Sequence, residues 1–168
     1  KPFAYQRDGE ANGRAAVRAL VLYPMNALVE DQLVRLRRAL NSTSVRGWLD
    51  ENRKRNRFYF GRYTGQTPVP GRMENLNAHH RLRATLRDQA LIAARARQLD
   101  ELAGEVRFEP YVPGVHGSEM RSRWDMQKYP PDILITNYSM LNIMLRRDIE
   151  AGLLAKTADW LTGETNKL

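Results

Sequence analysis

The chain has 168 residues, with 27 Lys+Arg against 19 Asp+Glu, a formal charge of +8, and no cysteine. That length suits one domain with a layered core, and an apolar share of 42% excludes disorder throughout. Lacking cysteine, the chain has no disulfide framework or thiolate metal site, and no apolar run approaches membrane-spanning length. The basic excess, mostly arginine, favours a polyanionic partner, nucleic acid ahead of an acidic membrane surface.

The opening, Lys1-Pro2-Phe3, has no initiator Met, and Tyr5 to Arg14 reads as a polar loop. No signal peptide opens the chain, and Trp160 to Leu168 fades without a final element, so a piece of a larger cytoplasmic protein is expected. The organising stretch is Val17 to Gln32. Ala19 to Leu22 is wholly apolar, as in a strand covered on both faces of a parallel sheet. Pro24 ends the pairing, Asn26 stands where an N-cap is wanted, and Leu28, Leu33, Leu36 and Leu40 predict a helix.

Val45 to Asn56 reads as basic and partly helical, and Arg57 to Tyr63 has the aromatics of a strand. Thr64-Gly65-Gln66-Thr67-Pro68 ends that strand as a turn. Arg72 to Gly104 then predicts one long helix or two in line, with Leu76, Leu82, Leu86, Ile92, Leu99 and Leu102 as its apolar side. Its other face carries Arg81, Arg83, Arg87, Arg95 and Arg97, read first as a solvated face and second as a nucleic-acid contact. Val106 to Gly117 reads as loop or edge strand, and Ser118 to Lys128 as a short helix. A second core strand, Ile133-Leu134-Ile135-Thr136, is followed by Asn137-Tyr138-Ser139 and a helix from Met140 to Arg147.

Strand ends at Pro24-Met25-Asn26, Thr64-Gly65 and Thr136-Asn137 would open on one edge of a parallel sheet. Small polar groups and backbone N–H at such ends suit a grip on a sugar–phosphate backbone without base reading.

Tyr23 to Gln32 resembles motif Ia of superfamily 2 DExH/DEAD-box helicases, in the Lhr-like branch, whose usual form is Y-P-T-K-A-L-A-x-D-Q. Tyr63 to Pro68 is similar to that branch's Y-x-G-D-T-P, and Pro131 to Leu141 to its P-x-I-L-x-T-N-P-D-M-L block. The match runs from about Val17 to Arg147. Asn in the first motif, and Ser122-Arg123-Trp124-Asp125 ahead of the third, look most like large bacterial helicases of this branch. Those include the helicase of the DISARM anti-phage system.

The resemblance implies an incomplete RecA-like α/β domain of the P-loop NTPase type, its mainly parallel sheet flanked by helices. It covers motifs Ia to Ic, with residues 72–128 as a helical insertion. It also implies that Pro24, Asn26, Thr64, Gly65, Gln66, Thr136, Asn137 and Tyr138 contact one nucleic-acid strand. Met25 and Asn26 replace the usual Thr and Lys, and Tyr138 and Ser139 replace Pro and Asp, so motif Ia loses a hydroxyl and a cation.

Neither G-x-x-x-x-G-K-[ST] nor D-E-x-[HD] occurs in the chain, and the acidic pairs at Asp50-Glu51 and Asp100-Glu101 do not follow apolar strands. In the family these motifs lie on either side of this segment. ATP and Mg²⁺ are therefore expected in the intact parent and not in the segment alone. The implied partners are DNA (with RNA open beside it), a second RecA-like domain of the parent, and other subunits of a defence complex, with no membrane.

Other chemistries fit less well. Thr136-Asn137-Tyr138 lacks the prolines of the amino-methyltransferase N-P-P-Y, and no glycine-rich cofactor loop accompanies it. Pro131-Asp132 has no E-x-K to complete a nuclease core, and His79, His80 and His116 lack partners at metal-ligand spacing. Glu30 and Asp31 are adjacent on a helix, point apart, and read as dipole partners rather than a catalytic pair. The serious rival is a non-enzymatic module that binds nucleic acid through its Arg-rich helix.

Overall fold

The computed structural model describes residue 7 and residues 15–24, 26–53, 56–70, 72–73, 75–104 and 107–163, with the backbone alone at 26 and 27. Strands β1 (Ala19–Tyr23), β2 (Phe60–Arg62), β3 (Glu119–Met120) and β4 (Ile133–Asn137) make one sheet in the order β1-β4-β2-β3. Every pairing is parallel: Ala19 faces Ile133, Phe60 faces both Ile133 and Glu119, and Tyr23 faces Asn137. The helices are α1 (Asn26–Leu40), α2 (Thr43–Asn52), α3 (Leu76–Leu102), α4 (Arg123–Lys128), α5 (Tyr138–Met144) and α6 (Ala151–Thr162). The chain is thus an α/β domain, laid out as an incomplete RecA-like fold would be.

Alternation along the strands sorts the core into two layers. Phe60 and Ile135 point to one face and pack with Val29 and Leu33 of α1. Tyr59, Tyr63 and Leu134 point to the other, where Met126 of α4, Met140 and Met144 of α5 and Leu153 of α6 meet them. A third cluster joins Val69 and Trp124 to Ala78 and Leu82 of α3. Asp132, just before β4, locks the amino edge of the sheet: its carboxylate accepts the Tyr59 N–H at 2.8 Å and pairs with Arg18 and with Arg7.

Several sequence expectations change in detail. The strand expected over 57–63 narrows to Phe60–Arg62, and the helix expected from Ser118 begins only at Arg123, after Glu119–Met120 has joined β2. Ser122 then caps α4, accepting the Asp125 N–H at 3.2 Å. Residues 107–117 hold a 3₁₀ turn at Glu109–Tyr111 and no strand. Trp160 belongs to α6, which runs to Thr162, while residues 164–168 lie outside the described part.

Helix α3 is one helix, starting four residues later than expected, and only Leu82 and Leu86 of its expected apolar side pack into the core. Ala78, Leu82, Ala93, Ala96 and Asp100 are buried, whereas Leu76, Leu91, Ile92 and Leu102 are mostly exposed. Small alanines let the helix lie close on its support, so the leucines flanking that narrow stripe remain in solvent. Asn75 caps its start, accepting the Ala78 N–H at 3.2 Å, and Gly104 follows its end with φ +65°.

Candidate nucleic-acid interface

The parallel register carries the ends of β1, β2 and β4 to one rim. Tyr23 sits opposite Asn137, and the Tyr63 N–H donates to the Ile135 carbonyl at 2.8 Å, so Thr64 comes beside Asn137. Three neighbouring strands at the usual spacing put these ends within about 10 Å of one another. Pro24, Gly65, Gln66 and Tyr138 are exposed on this rim, and Asn137 is half-buried. Asn26 opens α1 here, but its side chain, like all of Met25, lies outside the described residues.

Thr64 and Thr136 are fully buried, so their hydroxyls work inside the rim. Thr136 Oγ1 donates to the Tyr63 carbonyl at 2.6 Å, tying β4 to β2. Thr64 Oγ1 accepts the Gln66 N–H at 3.3 Å, and the Thr64 N–H donates to Thr67 Oγ1 at 2.9 Å. Thr67 Oγ1 in turn donates to the Arg62 carbonyl at 2.6 Å. The 64–68 turn is therefore closed by its own threonines, which explains why this segment carries two of them. It runs into Val69, a buried β-branched residue held at φ 54°, a conformation that costs on the order of 1–3 kcal/mol.

Gly65 stands proud of this turn. A Cβ built on it would meet nothing within 4 Å, so no internal packing requires glycine there. Asn137 caps α5, its side-chain oxygen accepting the Met140 N–H at 2.8 Å, and this aims the exposed Tyr138 ring outward at the rim.

Charge behind the rim is arranged by arginine. Arg62 donates to Glu30 and, at 3.2 Å, to Gln66, so α1 and the β2 turn are joined across the rim. Burial lowers the Arg62 pKa, and Glu119 works against that shift. Glu30 is thus taken by Arg62 and Asp31 by Arg35 at 2.9 Å, which makes them ion-pair partners as well as helix acids.

Beneath the turn, Arg123 is buried, donates to the Thr64 carbonyl at 2.8 Å and lies 5.3 Å from the Tyr63 ring centre. The Tyr63 hydroxyl donates to Glu150 at 2.7 Å and accepts from Gln127 at 2.8 Å, while Arg147 holds Glu150 at 2.7 Å. Burial first, then the bond to Glu150, pushes the Tyr63 phenol far above its ordinary value. This support was not foreseen from sequence. Arg123 lies 59 residues from Thr64 and Glu150 lies 87 from Tyr63, and no local pattern links them.

His79 is built into the third cluster, 4.8 Å from the Trp124 ring, with Nε2 2.7 Å from the Met73 carbonyl. Among the described residues, no group of three His, Cys, Asp or Glu could hold a metal ion, and no helix is long and apolar enough to cross a membrane.

No family model matches this sequence, and no solved structure matches it. The chain is similar to Druantia protein DruE of Escherichia coli (strain UMEA 4076-1). The two are 32% identical over an alignment of 188 residues, which covers 90% of this chain. The chain spans about 10% of the length of that curated relative. The likeness reaches nearly the whole α/β segment described above, and so includes the rim.

Proposed function

We propose that this chain is the strand-gripping part of the first RecA-like domain of an ATP-dependent superfamily 2 helicase or translocase that acts on DNA in phage defence. The observation that carries the reading is the meeting of three separate strand ends on one rim, with Pro24, Gly65, Gln66 and Tyr138 exposed above a turn stiffened from within. Similarity to a Druantia protein supports the defence setting. In the intact parent, ATP and Mg²⁺ would draw this domain against a second one, and the grip would shift along the strand as they close. The segment lacks both ATP-site motifs, so it binds without hydrolysing.

Fluorescence anisotropy with a labelled single strand tests the reading. Gly65→Val with Gln66→Glu leaves the fold intact, because nothing packs on Gly65, and weakens binding about tenfold or more by fending off the phosphate backbone. A second reading is favoured by the exposure of Arg81, Arg87 and Arg95 on α3, which would make that helix the binding organ. Charge reversal at those three residues separates the two. If it abolishes binding while the Gly65/Gln66 variant binds normally, the rim is not the grip.

A further inference from the structure

A second opening lies at the far edge of the sheet, where the strands begin. It is a cleft of about 950 Å³ between the end of α1, the start of α2, the end of α3 and the 107–116 segment. Its place is fixed by Arg37, which grips Glu119 at the start of β3, and by Asn41, which accepts the Ser118 N–H at 3.0 Å. Small-molecule sites commonly occupy about 300–1,000 Å³, so this cleft has the size of one.

Its charge is unevenly spent. Arg37 is neutralised by Glu119, the Asp100 carboxylate takes the N–H groups of Phe108 and Glu109, and Glu109 stands 4.0 Å from Arg46. Arg97 and Arg107 also line the cleft, come from separate segments, and form no ion pair with a described carboxylate, although Glu101 lines the cleft one turn from Arg97 and offsets part of their charge. Thr43 and Ser44, the first residues of the ten-residue helix α2, add two exposed hydroxyls and the positive end of its dipole. Tyr111 supplies an aromatic surface. The residue is 59% exposed yet held in place by Arg38, which donates to its hydroxyl at 2.7 Å with the guanidinium 5.2 Å from the ring centre.

We propose that this cleft is a second binding site, for a nucleoside phosphate. The phosphate would lie among Arg97, Arg107 and the start of α2, and the base against Tyr111. Guanidinium forks suit phosphate oxygens, and a fixed phenol ring offers every base a stacking surface. The site lies across the sheet from the rim and stands or falls independently of it.

Isothermal titration of the 168-residue chain with AMP, inorganic phosphate and a short 5′-phosphorylated DNA strand tests this. The double charge reversal Arg97→Glu, Arg107→Glu raises the AMP Kd by about tenfold or more, and circular dichroism shows the fold kept because both side chains are exposed. Tyr111→Ala weakens AMP by a similar factor while inorganic phosphate binds as before. Gly65→Val with Gln66→Glu leaves AMP affinity unchanged. Competition identifies the source: if AMP binds and displaces the strand from this site, the ligand is a free nucleotide. If only the strand binds and loses affinity on charge reversal, the ligand is a strand terminus. Absence of binding by both, or equal affinity in the wild type and the double reversal, overturns the proposal.

Discussion

Replacing Arg37 with Met should be among the most damaging single changes this domain can suffer. Arg37 Nε and Nη2 each donate to a Glu119 carboxylate oxygen at 2.7 Å, and the two side chains are only 4% and 9% accessible. The pair joins the last turn of α1 to the first residue of β3, two elements 82 residues apart. Removing the guanidinium leaves a carboxylate that has already lost its water, and breaking such a buried pair costs about 3–5 kcal/mol. Arg62, whose charge also acts on Glu119, keeps the loss toward the lower end of that range. Domains of this kind have about 5–15 kcal/mol in all, so the variant should be close to unfolding at physiological temperature. The double variant Arg37→Met, Glu119→Leu should recover most of the loss, since two apolar groups of similar bulk leave no charge stranded. Urea titration followed by circular dichroism reads both. A loss below about 1 kcal/mol for Arg37→Met at unchanged slope would show that the pair is not the desolvated clamp described here.

Three further outcomes follow from the same contacts. Gly61→Ala should cost about 1–3 kcal/mol in the same titration, because a Cβ there falls 2.6 Å from Met126 Sδ and 3.3 Å from Met120 Cβ within the core; an unchanged midpoint would show that Met126 has room to move. Asn75→Ala should remove the cap of α3 and about 1 kcal/mol with it, read as a lowered thermal midpoint without change of fold. Tyr63→Phe should flatten the alkaline limb of the stability curve. The phenol is pushed up in the folded state, so the unfolded chain releases its proton first, near pH 10; the contribution is complete below that pH and is lost as pH rises beyond it. Wild type and variant losing stability in parallel above pH 10 would contradict the burial of the Tyr63 phenol, the first cause of its shift, along with the bond to Glu150.

Much of this architecture is written in short stretches of sequence. The apolar runs Ala19 to Leu22 and Ile133 to Ile135 both form strands, and Pro24 ends the first where a proline must. The first is not covered on both faces as expected, because β1 lies at the edge of the described sheet with Ala19 and Leu20 exposed. Asn137 is a cap by residue type and position alone, whereas Asn75 lies inside the stretch expected to be helical from Arg72 and only the structure makes it the cap. Parallel pairing of strands with polar ends was enough to expect a common rim. Helix α3 shows where such reading fails in part: periodicity marks leucines as buried by default, yet beyond Leu82 and Leu86 the buried apolar positions are alanines, because a close helix approach selects small side chains.

By itself, then, the sequence determined the α/β class, the strand ends and the basic character, all properties set by neighbours within a few residues. What only the tertiary structure decided is which groups are spent and which are open. Thr64 and Thr136, alike in sequence to exposed contact residues, turned out to be internal ties, while Gly65 and Tyr138 face solvent. The buried partnerships of Tyr63 with Glu150, Arg123 with Thr64 and Arg37 with Glu119 join residues 59 to 87 positions apart. Burial and desolvation belong to the packed whole, and no local stretch of chain encodes them.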